Sequence, residues 1–289
     1  MLSGSRRSHD SISRKVAGRA VGLIGVPFDA NSSFLRGPAR APAAIRRALG
    51  SDAANAYSER GVEVWPSSAV IDHGDLRVPQ RPRLRGPIDR IEAGIAHALQ
   101  LTPRLVVLGG DHAVTYPVMR AMVAQHGPIS LLHFDAHPDL YPHYEGNRYS
   151  HASPMARILE DGLVTRLVQV GIRSFTPAQD ALARRHRVRT IGASALRATP
   201  KLSFKDPLYI SIDMDALDPA FAPGVSHPEP GGLSVRQILD VIESVRAPLI
   251  VGGDVVELNP RQDVGSATAN VAAKFVRELL AAMLTSQRR

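Results

Sequence analysis

The sequence predicts an α/β fold, a three-layer α/β/α sandwich around a mainly parallel central sheet. Three observations carry that prediction. Short apolar runs alternate with helical stretches of about ten residues or more, the pattern of successive βαβ units. The runs VVL, ISLL and LIV are apolar without interruption, as expected of strands covered on both faces. No linker rich in Gly, Ser or Pro divides the chain and no internal repeat occurs, so a single domain is expected over residues 19–289.

Each element has its own signal. AVGLIGVP, residues 20–27, reads as a strand, and PAAIRRALG (42–50) as a short helix with Pro42 at its start. Residues 55–75 carry no clear periodicity and read as a loop. IDRIEAGIAHALQ (88–100) has apolar residues at helical spacing. RLVVLGGD (104–111) is a β-branched run ending in glycines, and residues 113–127 form a helix closed by Gly127. Strands then follow at 129–137, 166–173, 207–215 and 248–257, alternating with helices at 153–162, 176–186, 234–245 and 267–287.

Composition excludes several functions. Hydrophobic residues make up 44% and charged residues 21%, enough to bury a sizeable core. No window approaches the eighteen or so apolar residues of a membrane span. Cysteine is absent, which removes disulfides, thiolate metal sites and a cysteine nucleophile, and fits a cytoplasmic protein. The net charge is +8, carried almost wholly by Arg, with Lys only at Lys15, Lys201, Lys205 and Lys274. These charges are scattered and aromatics are 5%, so no nucleic-acid surface is expected. Residues 1–18 are Ser- and Arg-rich and lack an apolar signal core; a disordered basic tail is expected in preference to a mitochondrial transit peptide.

The chemistry lies at the strand ends. HFDAHPD places Asp135, His137 and Asp139 at every second position after ISLL. Side chains two apart on a strand share a face, so the three converge. In parallel α/β sheets, ligands bind beyond the carboxyl ends of the strands. LVVLGGDH brings His112 to that edge, and YISIDMDALD brings Asp213 and Asp215. Four carboxylates and two imidazoles in one place would repel or desolvate badly without a compensating cation. Oxygen and imidazole donors suit a divalent ion such as Mn²⁺. Six donors exceed what one catalytic ion needs and fit two ions roughly 3.5–4 Å apart. His133 shares the parity of Asp135 but lies deeper, and is expected to be a packed, hydrogen-bonded histidine. The second GGD, at residues 252–254, reads as turn chemistry.

GGDHAVTYP, HFDAHPDLY and SIDMDALDPAFAPG resemble the three metal motifs of the ureohydrolases, the arginase and agmatinase family. NSSFLRGPARAP, EGNRYSHAS, PAFAPGVSHPEPGGLS and GGDVVELNPRQD are similar to plant-type arginases in particular. The resemblance implies an arginase-like fold with a dinuclear manganese centre. One ion would be held by His112, Asp135, Asp139 and Asp213, the other by Asp135, His137, Asp213 and Asp215, with Asp135 and Asp213 bridging. It also implies hydrolysis at a guanidinium carbon, with release of urea and an amine. Asp139 would accept a proton from the attacking water, His151 would shuttle one to the amine, and Glu257 would pair with the guanidinium.

L-arginine is the substrate favoured by this resemblance; agmatine or another guanidino compound is the alternative. The loop 141–150 is expected to line the mouth, with Asn147 and Ser150 as partners of a substrate carboxylate and Arg148 as a possible third. In animal-type arginases an aspartate meets the α-ammonium, and Thr176 stands at the matching position here, inside GIRSFTPAQD. The family also implies a homo-oligomer, a trimer or hexamer. A single-zinc deacetylase of the same superfold would need fewer ligands, and a binuclear phosphoesterase would need different motif spacing.

Overall fold

The computed structural model describes residues 20–286, so the expected tail at 1–18 lies outside the described residues. Among the described residues the eight strands are β1 (Val21–Gly25), β2 (Val70–Asp75), β3 (Leu105–Leu108), β4 (Ile129–Phe134), β5 (Val164–Ile172), β6 (Arg189–Gly192), β7 (Leu208–Asp213) and β8 (Ile250–Val256). They form one sheet in the order β2-β1-β3-β8-β7-β4-β5-β6, and every pairing is parallel. The helices are α1 (Ala41–Leu49), α2 (Arg85–Leu101), α3 (Thr115–His126), α4 (Pro154–Glu160), α5 (Pro177–Arg185), α6 (Val235–Ser244) and α7 (Ala267–Thr285). None among the described residues is long and apolar enough to cross a membrane.

Two separate cores explain the continuous apolar runs. Val106 and Leu108 of β3, with Leu132 and Phe134 of β4, pack into a core shared with Ile45 of α1, Ile238 of α6 and Phe275 of α7. Their strand neighbours Leu105, Val107, Ile129 and Leu131 point the other way, against Ile91 of α2, Met119 of α3 and Met155 of α4. Alternate residues therefore face opposite helical layers, and both sets must be apolar.

The expected central strands and flanking helices are present, and the boundaries differ by a few residues. Two edge strands escaped the sequence reading. β2 lies inside the stretch read as loop; its sequence VIDHGD is mostly exposed or half-buried because it pairs with β1 alone. β6, RTIG, closes the opposite edge and is likewise partly exposed. An edge strand buries little, so it carries little of the apolar signal by which strands are found.

Glycine at 110 is a steric requirement. A Cβ there would lie 1.8 Å from the carbonyl oxygen of Phe28. The close approach lets Asp111 N–H donate to that same oxygen at 2.8 Å and Glu257 N–H donate to Gly110 O at 2.9 Å. It thereby sets the height of the turn His112–Val114 above the sheet. Gly110→Ala is expected to cost about 1–3 kcal/mol, the usual penalty of overpacking. Chemical denaturation checks this, and an unchanged midpoint would show that the contact can relax freely.

Candidate metal centre

The loops after β3, β4 and β7 deliver the predicted ligands to one point. Nδ1 of His112 lies 3.2 Å from Asp135 Oδ2, 3.0 Å from Asp139 Oδ2 and 3.0 Å from Asp213 Oδ2. That nitrogen is buried and has no well-directed hydrogen bond. Beside it, Nδ1 of His137 lies 3.0 Å from Asp215 Oδ2 and 3.5 Å from Asp135 Oδ1. Asp135, His137 and Asp215 could hold a cation between them.

Local backbone fixes the carboxylates. Asp135 Oδ1 accepts from His137 N–H at 2.6 Å, Asp213 Oδ1 from Asp215 N–H at 2.8 Å, and Asp215 Oδ1 from Ala136 N–H at 3.1 Å. Each carboxylate thus keeps its other oxygen directed at a histidine. Asp139 and Glu257 have φ of 52° and 62°, in the left-handed region that costs a non-glycine residue about 1–3 kcal/mol.

A chain of hydrogen bonds sets the tautomer of His112. The Ser211 hydroxyl donates to Asp254 Oδ1 at 2.6 Å, so its oxygen accepts from His112 Nε2 at 3.1 Å. Thr115 and Tyr209 hydroxyls hold the other Asp254 oxygen at 2.9 and 3.0 Å. The proton therefore sits on Nε2 and the Nδ1 lone pair faces the carboxylates, the outer-sphere device of a metal-ligating histidine. Ser211 and Asp254 were missed in the sequence. Ser211 is two residues before Asp213 and so shares its face, which was a usable signal; Asp254 sat in the GGD read as a turn.

His133 also lies near the cluster, with Nε2 2.7 Å from Asp135 Oδ2. Gln169 Nε2 donates to its Nδ1 at 3.0 Å, so Nε2 carries the ring proton and donates to the carboxylate. Neither nitrogen keeps a lone pair for an ion.

Electrostatics point the same way. Burial, then Asp215 and Asp135, push Asp213 well above the usual carboxylate range. Burial and Asp135 push Asp215 to about 6. Burial opposes charge on His137, yet Asp215 and Asp135 outweigh it and raise the ring to about 12. Carboxylates this close cannot all ionise without positive charge among them. The donor set, oxygen and imidazole with no thiolate, fits a hard or borderline divalent ion, and the buried unpartnered Nδ1 of His112 fits a ligand to it.

A cavity of about 230 Å³ opens over Asp139, Asp213 and Asp215. Glu257 and His151 form one wall. Glu257 Oε1 accepts from His112 N–H at 2.9 Å and from His151 Nδ1 at 2.8 Å, while the buried Oε2 has no partner. Burial opposes charge on both, but their mutual attraction raises His151 to about 9 and lowers Glu257. Thr176 lines the cavity, yet its hydroxyl caps α5 by accepting from Gln179 N–H at 3.3 Å. Asn147 and Ser150 are buried beneath the mouth and do not line it. Asn147 donates to Asn31 Oδ1 at 3.1 Å, and Ser150 Oγ accepts from Ala152 N–H at 3.3 Å. Arg148 is exposed and binds Glu160 at 3.0 Å. Ser33, Phe175, Gln179 and His227 line the cavity without having been picked out in the sequence.

Residues 19–282 match the sequence profile of the Arginase family. The chain is 45% identical to arginase 1, mitochondrial, from Arabidopsis thaliana, over 90% of this chain and 80% of that one. It is 38% identical to a guanidinopropionase from Pseudomonas aeruginosa, over 93% and 88%. The solved arginase from Medicago truncatula superposes with a TM-score of 0.86 at 40% identity, covering 96% of both chains. These comparisons also correct the cytoplasmic expectation. Relatives from Arabidopsis thaliana, Oryza sativa and Medicago truncatula are named as mitochondrial arginases, against that expectation. Absence of cysteine does not separate one compartment from another. On the profile match and the shared fold, this chain belongs to the arginase family and is a ureohydrolase, acting on guanidino carbon–nitrogen bonds.

Proposed function

We propose that this ureohydrolase converts L-arginine to L-ornithine and urea with two manganese ions. The supporting observation is Glu257 Oε2, a buried carboxylate oxygen with no partner on the wall of a cavity floored by the acidic cluster. Such an oxygen is costly to leave unmet and suits a guanidinium N–H. Because Oε1 already serves two donors, the pairing is through Oε2 rather than through both oxygens.

His112, Asp135, Asp139 and Asp213 would hold one ion and Asp135, His137, Asp213 and Asp215 the other. When bound, a divalent pair lowers the pKa of a water so that hydroxide is available near neutral pH. Glu257 orients the guanidinium over the floor of the cavity. Asp139 receives the proton from the attacking water and relays it to the departing nitrogen. His151, held protonated by Glu257, gives a proton from Nε2 to the departing amine, since Nδ1 is committed to the carboxylate.

The choice among guanidino compounds rests on the outer cavity. Its acidic lining residues, Asp139, Asp213, Asp215 and Glu257, all belong to the floor and inner wall, so among the described residues lining it no carboxylate is left to meet an α-ammonium. Thr176 stands instead where animal-type arginases place an acid. This favours a second reading, agmatine or a guanidino acid, consistent with the guanidinopropionase among the relatives. Side-by-side turnover of L-arginine, agmatine and 3-guanidinopropionate with Mn²⁺, following urea, decides between them. Arginine is expected to be the best substrate. Faster turnover of another guanidine would replace the substrate, and no urea from any would overturn the reading.

A further inference from the structure

We propose that Ser33 is the hydroxyl through which His151 exchanges protons with solvent. The inference rests on the reading of His151 as the proton donor to the departing amine. Ser33 Oγ lies 2.8 Å from His151 Nε2, and His151 Nδ1 lies 2.8 Å from Glu257 Oε1. The ring is thus held at both nitrogens, in a serine–histidine–glutamate chain that runs inward from the mouth.

The segment carrying Ser33 is built against this ring. Asn31 C=O accepts the backbone N–H of His151 at 3.2 Å. Asn31 N–H is itself held by Asp111 Oδ2 at 2.9 Å, and its side-chain oxygen by Asn147 Nδ2 at 3.1 Å. Further along, the ring of Phe34 meets His227 edge-on at 5.6 Å, and His227 leans on His151 at 4.9 Å. His151 is buried, whereas Ser33 is exposed and lines the cavity. Ser33 is therefore the exposed polar group in contact with the buried imidazole.

The chemistry needs a group of this kind. Each turnover takes one proton from Nε2, and the ring must regain it. Nδ1–H stays with Glu257, so Nε2 is the exchanging atom. A hydroxyl both donates and accepts, and so it partners the neutral ring and the charged ring alike. In the return step the Nε2 lone pair takes the Ser33 proton while Oγ takes one from hydronium or a buffer acid. The Ser33 O–H bond and the donor acid's bond to hydrogen break, one N–H and one O–H bond form, and the serine is unchanged. Ser33 acts through His151 and positions its exchanging nitrogen.

The test uses manganese-loaded full-length enzyme at saturating substrate, over a range of concentrations of a small buffer acid such as imidazolium. Ser33→Ala is expected to lower kcat about tenfold at low buffer, a fraction of the 10²–10⁴ typical of general acid–base catalysis, with KM nearly unchanged. Its rate should climb with buffer concentration while the wild-type rate does not. Ser33→Thr, which keeps the hydroxyl, should recover kcat and remove the buffer dependence. A Ser33→Ala enzyme with wild-type kcat, or with a loss that buffer does not relieve, overturns the relay. His151→Asn is run alongside. If it keeps wild-type rate, the donor reading fails and the relay with it; if it is inactive while Ser33→Ala is unimpaired, the relay alone fails.

Discussion

Asp213→Ala should abolish urea formation and empty the metal site while leaving the fold in place. Losing an outer partner of a ligand already costs about 10–100-fold in metal affinity, so losing a carboxylate shared by both proposed ions should cost more than about 100-fold. The fold should survive because the carboxylate is no asset to it. Burial and its neighbours Asp215 and Asp135 disfavour its charge, and its one backbone partner is the N–H of Asp215. Metal analysis, circular dichroism and urea assays on one preparation separate the effects. A variant that retains manganese and turnover would remove Asp213 from the proposed ligand set.

Glu257→Gln should behave differently, keeping the metal and losing the substrate. The amide preserves shape but removes the charge that faces the guanidinium and pairs with His151. Loss of a charged, buried hydrogen bond costs about 2–4 kcal/mol, or roughly 30- to 1000-fold in kcat/KM. Metal content should match wild type, since Glu257 reaches the cluster only through the backbone N–H of His112. A drop of less than about tenfold would mean that the guanidinium finds its partner elsewhere.

The parts of this molecule that could be read in the sequence are those with a short period. The central strands were legible because both of their faces are apolar; Asp135, His137 and Asp139 were grouped on the same two-residue repeat, although β4 ends at Phe134 and the loop beyond it, with Asp139 at a φ of 52°, brings them together. β2 and β6 were missed because edge strands have little to bury. Ser33 and His151 are 118 residues apart in the chain, and His112 and Ser211 are 99 apart. Nothing periodic links such pairs; the crossovers of the sheet bring them together. The loop 141–150 shows the converse. Asn147 and Ser150 have the right chemistry for a substrate carboxylate, but Asn147 Oδ1 and Ser150 Oγ accept from Tyr149 and Ala152 N–H within the loop, and the Asn147 amide nitrogen donates to Asn31. Turns made of Asn and Ser often spend those side chains on nearby backbone, and sequence alone does not show where the hydroxyl or amide is used.

The sheet acts as a ruler for the carboxylates proposed to hold the metal pair. β4 and β7 are neighbours, with Phe134 level with Ile212, so Asp135 and Asp213 stand side by side one strand apart. Neighbouring strands are spaced about 4.8 Å by their hydrogen bonds, whatever side chains they carry. His112 comes from β3, two strands from β7 across β8, a span of about 10 Å that its turn must cross to reach the same point. The separation of the Asp135 and Asp213 carboxylates is therefore inherited from main-chain geometry. A point substitution can delete a donor from this cage, but re-spacing the pair would require a different ladder.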